Sequence, residues 1–282
     1  MHPVEGTKST RLMRHIDGHA SEHWDTLAEE APLEIKVSHR HPKTDLLIEE
    51  PLAVTMRTPG ADQELALGLL IAEGLIENVD AVERINSAQD DSSRITLHLS
   101  HPPLRSLEHR QRGLYASSSC GVCGKADLAQ IELPESPTLD PLAPTIASAT
   151  LLQLPNTLRL HQGNFKDTGG LHAAALFDCD GTLDSLFEDI GRHNALDKLI
   201  GNAAKNGALP LSNSILLLSG RVSYELIQKA AVAQVPIIAA LGAPSSLAVE
   251  LAQHFGQTLI GFLRENRFNI YTHPQRILSS NE

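Results

Sequence analysis

Three short apolar runs in the second half of the chain, residues 215–218, 235–241 and 258–262, constrain the fold most. A short run with no polar face reads as a strand covered on both sides. Helical stretches follow the first two runs, through Ala233 and through Phe255. Strands that alternate with helices of this length pair in parallel through right-handed crossovers. Parallel strands end on one edge of the sheet, and ligands bind outside that edge, at the loops. Here those loops are Ser219-Gly220-Arg221-Val222-Ser223, Gly242-Ala243-Pro244-Ser245-Ser246 and Leu263-Arg264-Glu265-Asn266-Arg267. Two of them open a helix, whose free N–H groups suit phosphate. Arg221, Arg264 and Arg267 add forked cationic donors. A nucleotide or pyrophosphate site fits these features, although ordinary serine caps and glycine turns would produce them as well.

Upstream of those runs, Arg192 to Asn206 reads as a helix stopped by Gly207. Residues 173–177 and 183–188 read as a strand pair around Asp178-Cys179-Asp180-Gly181. In the first half, Leu33, Ile35 and Val37 alternate with polar residues, and residues 45–57 form a second extended run. Residues 62–73 read as an apolar helix ended by Gly74, and Ile95, Leu97 and Leu99 mark another strand. The expected organisation is a disordered or loosely packed segment over 1–30, a small α+β domain over 31–100, a flexible linker over 101–127 and an α/β core over 128–282.

The formal net charge of −11 disfavours a general nucleic-acid binder. Two stretches run against it. Residues 105–125 hold Arg105, Arg110, Arg112 and Lys125 against Glu108, and residues 258–278 hold Arg264, Arg267 and Arg276 against Glu265. Local positive charge in an acidic chain suggests an anionic ligand, or simply two solvated patches. No apolar run approaches the roughly 20 residues that span a bilayer. The first 30 residues lack the layout of a signal peptide, so a cytoplasmic protein without membrane association is expected.

Only three cysteines occur, Cys120, Cys123 and Cys179, too few for a disulfide framework or a four-cysteine zinc site. Cys120 and Cys123 lie in Ser117-Ser118-Ser119-Cys120-Gly121-Val122-Cys123-Gly124. A thioredoxin-type pair would need a preceding strand and a following helix start, and a zinc site would need two more ligands in a metal-like spacing. The remaining reading is a mobile pair of nucleophiles. Gly121 and Gly124 admit a partner, and Arg110, Arg112 and Lys125 favour the thiolate. Such a thiolate can accept sulfane sulfur from a persulfide, as thiolates attack disulfides. Cys179, in a hairpin turn, is read as incidental, and Glu73 as solvated or capping. Asp189, Arg192 and His193 cluster beside a helix start, where they contact a ligand or the loop, or form a local ion pair. His172 is ambiguous.

These residues closely resemble the formate dehydrogenase accessory sulfurtransferase family, FdhD. The resemblance rests on Ser118 to Gly124, Thr168-Gly169-Gly170-Leu171-His172-Ala173-Ala174 and Glu188 to Lys198. Ser219-Gly220-Arg221 with Tyr224-Glu225, Ala243-Pro244-Ser245-Ser246 and Asn269-Ile270-Tyr271-Thr272 continue it. Several blocks in order are specific where a lone Cys-x-x-Cys is weak. The resemblance implies an α/β fold with a cytidine-deaminase-like three-layer core and a mixed or parallel sheet, in a homodimer. It implies that Cys120 takes sulfur from a cysteine desulfurase as a persulfide; for Cys123, relaying the sulfur and protecting the intermediate are both open roles. It further implies transfer to molybdenum bis-guanine-dinucleotide cofactor, with GDP as a mimic, before insertion into formate dehydrogenase. Phe262, Leu263, Arg264, Glu265, Asn266 and Arg267 match the family's cofactor-binding segment. Ser219, Gly220, Arg221, Ser245 and His193 are candidates from the strand-end loops and helix start. No structural metal is expected. Deamination is not expected either, because the zinc cysteines are missing and no Glu stands two residues after His193. A thiol–disulfide oxidoreductase and a nucleotide-binding chaperone without catalytic cysteines are the alternatives.

Overall fold

A computed structural model describes residues 5–88, 91–105, 139 and 144–279. Disorder or loose packing is expected at the N-terminus, yet β1 (Thr7–Ile16) and β2 (His19–Ala28) form a hairpin paired along its whole length. Disorder over residues 7–28 is corrected by the turn. Asp17 and Gly18 both take positive φ, 49° and 80°, as a two-residue hairpin turn requires. The ladder satisfies the backbone without a core, so the side chains need no apolar periodicity. Most stay exposed, including Trp24 at 66%, with the Arg11 guanidinium 5.1 Å over its ring.

The next layer holds β3 (Ala31–Arg40), β4 (Leu47–Arg57), α1 (Asp62–Ala72), β5 (Val82–Ala88) and β6 (Asp91–Leu99). The sheet order is β4-β3-β6-β5, with β3 and β6 parallel. The alternating residues Leu33, Ile35, Val37, Ile95, Leu97 and Leu99 are all buried on one face. Helix α1 is apolar nearly all round because it is covered on both sides, by this sheet and by a helix of the second half. One continuous core therefore joins the layer over 31–100 to the rest of the molecule.

The second half begins with β7 (Ile146–Ala147), α2 (Ser148–His161) and α3 (Gly163–Thr168). It continues through β8 (His172–Phe177), β9 (Leu183–Asp189), α4 (Arg192–Lys205), β10 (Ile215–Leu218), α5 (Tyr224–Val232), β11 (Ile237–Ala240) and α6 (Ser246–His254). It closes with β12 (Thr258–Arg264), β13 (Arg267–Thr272) and β14 (Ile277–Leu278), the last paired with β7. The main sheet has the order β13-β12-β11-β10-β8-β9. Strands β10, β11 and β12 are parallel, while β8, β9 and β13 join antiparallel, so the sheet is mixed.

Along β10 and β11 successive residues face opposite cores. Leu216, Leu218, Ile238 and Ala240 pack among residues of α4, α5 and α6, whereas Ile215, Leu217, Ile237 and Ala239 pack with Leu151, Leu154 and Leu158 of α2. Both faces are covered, which accounts for the uninterrupted apolar runs. Helix α2 was hidden in the sequence by Pro155 in its interior, where a proline removes a donor and ordinarily breaks a helix. Among the described residues no helix is long and apolar enough to cross a membrane.

Candidate functional site

The ends of β10, β11 and β12 lie on one sheet edge, together with the start of β8. The loops after β10 and β11 are zipped together. Val222 N donates to Ala243 O at 3.0 Å, Ser245 N to Val222 O at 3.0 Å, and Gly242 N to Gly220 O at 3.1 Å. A Cβ on Gly242 would sit 2.5 Å from the Gly220 carbonyl oxygen, so the two backbones approach this closely only without a side chain there. Ser219 fastens β10 to β8: its Oγ accepts from Ala173 N at 2.8 Å, and its N donates to Ala173 O at 3.0 Å.

The third loop is tighter than expected. Leu263 and Arg264 belong to β12, Arg267 opens β13, and only Glu265 and Asn266 form the turn. Arg264 Nη1 donates to Leu241 O at 2.7 Å and to Leu263 O at 2.8 Å, which fixes its guanidinium across the strand ends.

These elements enclose a groove of about 1030 Å³, lined by Ser219, Gly220, Arg221, Gly242 and the whole stretch Leu263 to Arg267. Pro155 and Arg159 of α2, His172 and Leu241 complete the wall. Four arginines, Arg159, Arg221, Arg264 and Arg267, face one carboxylate, Glu265, which lies 3.6 Å from Arg159. A smaller compartment of about 410 Å³ adjoins it, adding Gln162, Phe165, Gly169, Gly170 and Leu171. It shares Pro155, Arg159, His172, Ser219 and Leu241 with the first. Net positive charge with backbone exposed at glycines suits a polyanion, and an apolar annex suits an attached ring system.

Of the candidates, Ser219, Gly220, Arg221, Leu263, Arg264, Glu265, Asn266 and Arg267 are brought together around this groove. Three others do not line it. Ser245 caps α6 by accepting from Ala248 N at 3.2 Å. His193 turns toward α5, with Nε2 3.0 Å from Glu225 Oε2 and 3.2 Å from Ser223 Oγ. Phe262, at φ 53°, sits at an irregularity of β12 with its side chain 41% exposed. Cys120 and Cys123 lie outside the described residues. The Cys179 thiol is pushed up by burial and then by the carboxylates of Asp178 and Asp180. Among the described residues no three His, Cys, Asp or Glu side chains are placed to hold a metal ion.

Two charged residues read as local features of the sequence have other partners. Asp189 is buried against Lys198 at 2.7 Å and accepts from Thr58 N and Gly191 N. Glu73, expected to be solvated or capping, ends α1 and also faces buried Lys229 at 3.7 Å. Sequence reasoning missed Arg159, Pro155 and Phe165, because α2 and α3 were not foreseen. The only signal was an Arg and a His in the last turn of a helix with a Leu151, Leu154, Leu158 stripe.

A family model described as FdhD/NarQ family matches residues 28–278. A relative from Streptomyces avermitilis named sulfur carrier protein FdhD is 43% identical over 279 residues, covering 96% of this chain and 95% of its own. Relatives of the same name from Mycolicibacterium paratuberculosis and Sulfurisphaera tokodaii are 45% and 42% identical, covering 95% and 90% of this chain and 98% and 92% of theirs. A crystal structure of a protein from Desulfotalea psychrophila, provisionally described as a formate dehydrogenase accessory protein, superposes with a TM-score of 0.74. That pair shares 23% identity over 97% of this chain and all of the other, which shows a common fold.

Proposed function

As this chain belongs to the FdhD/NarQ family, we propose that it carries sulfur to a guanine-dinucleotide molybdenum cofactor during formate dehydrogenase maturation. The observation that carries this reading is the arginine-lined groove at the parallel strand ends, where residues from three separate loops converge on space for a polyanion. Arg221, Arg264 and Arg267 hold pyrophosphate oxygens, and Gly220 and Gly242 let the ligand approach the backbone. The smaller compartment takes the attached ring.

Sulfur enters at Cys120. Its thiolate attacks the outer sulfur of a persulfide on a cysteine desulfurase. A new S–S bond forms as the donor's S–S bond breaks, and the donor leaves as a thiolate, so no external oxidant or reductant is needed. Cys123 relays or shields the sulfur. Further parts of the reading are a cytoplasmic homodimer and a cytidine-deaminase-like core. The order β9-β8-β10-β11-β12, with β8 antiparallel to its neighbours, supports that core. The chain lacks the zinc cysteines and a Glu two residues after His193, which argues against deamination itself.

Mass spectrometry after incubation with a desulfurase and cysteine tests the sulfur step. The expected result is one added sulfur on the wild-type protein and none on Cys120→Ala. An adduct undiminished in Cys120→Ala would overturn the assignment. Calorimetry with GDP tests the groove separately.

A further inference from the structure

The two compartments of the groove meet at His172, the first residue of β8. Its ring lies over Gly220: a Cβ at 220 would come 3.0 Å from Nδ1 and 3.2 Å from Cε1. Glycine at that position leaves the imidazole its place at the junction. The charged groups around it come from four elements: Arg192 and His193 of α4, Arg221 after β10, Asp189 of β9 and Arg159 of α2. Cations dominate. Burial, then Arg192, His193 and Arg221, depress the imidazole's pKa, and Asp189 only partly opposes them. The ring is therefore neutral near neutral pH.

We propose that His172 is a ligand-binding residue that takes up a proton when a phosphate-bearing anion enters the groove and then donates a charged hydrogen bond to it. The proposal rests on the groove being the site of a dinucleotide ligand. An anion among these arginines reverses the local field, and an opposite charge within about 4–6 Å raises the pKa of an imidazole by roughly 1–3 units. The proton comes from solvent, and no covalent bond in the ligand changes. Binding then tightens as pH falls toward the pKa of the free protein's ring, where the protonated form is already present.

A guanosine diphosphate sugar is a suitable probe, because its pyrophosphate diester has a fixed charge near neutral pH. Calorimetry in buffers of different ionisation enthalpy reads proton uptake directly. Wild-type protein should take up protons on binding, and its affinity should fall about tenfold as pH rises across the bound ring's pKa. His172→Gln should still bind, with no uptake and a flat pH profile. Binding without uptake in the wild type, or unchanged uptake in His172→Gln, overturns the role of His172 and leaves the groove assignment standing. No binding by the wild type overturns both. Should His172→Gln fail to bind, the NMR titration of the His172 ring in wild-type protein decides: a ring pKa that the ligand does not raise overturns the proposal.

Discussion

Gly68 of α1 and Gly201 of α4 meet backbone to backbone. A Cβ on Gly68 would overlap the Asp197 carbonyl and lie 2.9 Å from Gly201 N, and one on Gly201 would overlap the Glu64 carbonyl and lie 2.8 Å from Gly68 N. The glycine pair lets the helix of the N-terminal layer lie directly on α4 of the second half.

Gly201→Ala separates helix propensity from packing. In an isolated helix the change would stabilise by about 1 kcal/mol. Here the added methyl forces the two helices apart, at a cost of about 1–3 kcal/mol or more. Chemical denaturation should show net destabilisation, and Gly68→Ala should behave alike.

Lys229 of α5 places Nζ 2.7 Å and 2.9 Å from the two carboxylate oxygens of Asp197, with both side chains buried. Burial works against the lysine's charge, but Asp197 and Glu73 outweigh it and hold its pKa above the ordinary value. Asp197→Ala leaves that buried charge only its longer contact with Glu73 and should cost up to about 3–5 kcal/mol in denaturant titrations. Replacing both residues by apolar ones of similar volume should cost much less.

Arg264 and Arg221 differ in how they are held. Arg264 is fixed by two carbonyls of its own sheet. Arg264→Lys loses that fork and should weaken GDP binding nearly as much as Arg264→Ala. Arg221→Ala should weaken it roughly tenfold, about 1.4 kcal/mol. Isothermal titration at two salt concentrations checks both, with a smaller salt dependence expected in the two alanine variants, which lose a charge, than in Arg264→Lys.

Tyr224 donates to Glu225 Oε1 at 3.2 Å in a buried setting. Burial, then the Glu225 charge and hydrogen bond, raise its phenol pKa well above the ordinary tyrosine value. A raised folded-state pKa contributes stability below the unfolded value and loses it as pH climbs beyond. Stability should therefore decline above about pH 10, and less so in Tyr224→Phe. Ultraviolet titration should find a late-ionising phenol that is lost in Tyr224→Phe.

Much of this protein was legible in its residues alone. Continuous apolar runs determined the parallel strands β10, β11 and β12, because only a strand covered on both faces tolerates such a run. Chain direction then determined that Ser219 to Arg221 and Leu263 to Arg267 would share an edge. Tertiary structure decided what else reaches that edge. It brought in Arg159, from a helix whose Pro155 disguises it, and placed His172 against Gly220 at the junction of two compartments. It also turned His193 and Ser245 to other tasks, the one toward Glu225 and the other to capping α6. A residue's chemistry and its distance along the chain are local, whereas which partner it faces depends on the crossing of elements that are distant in sequence.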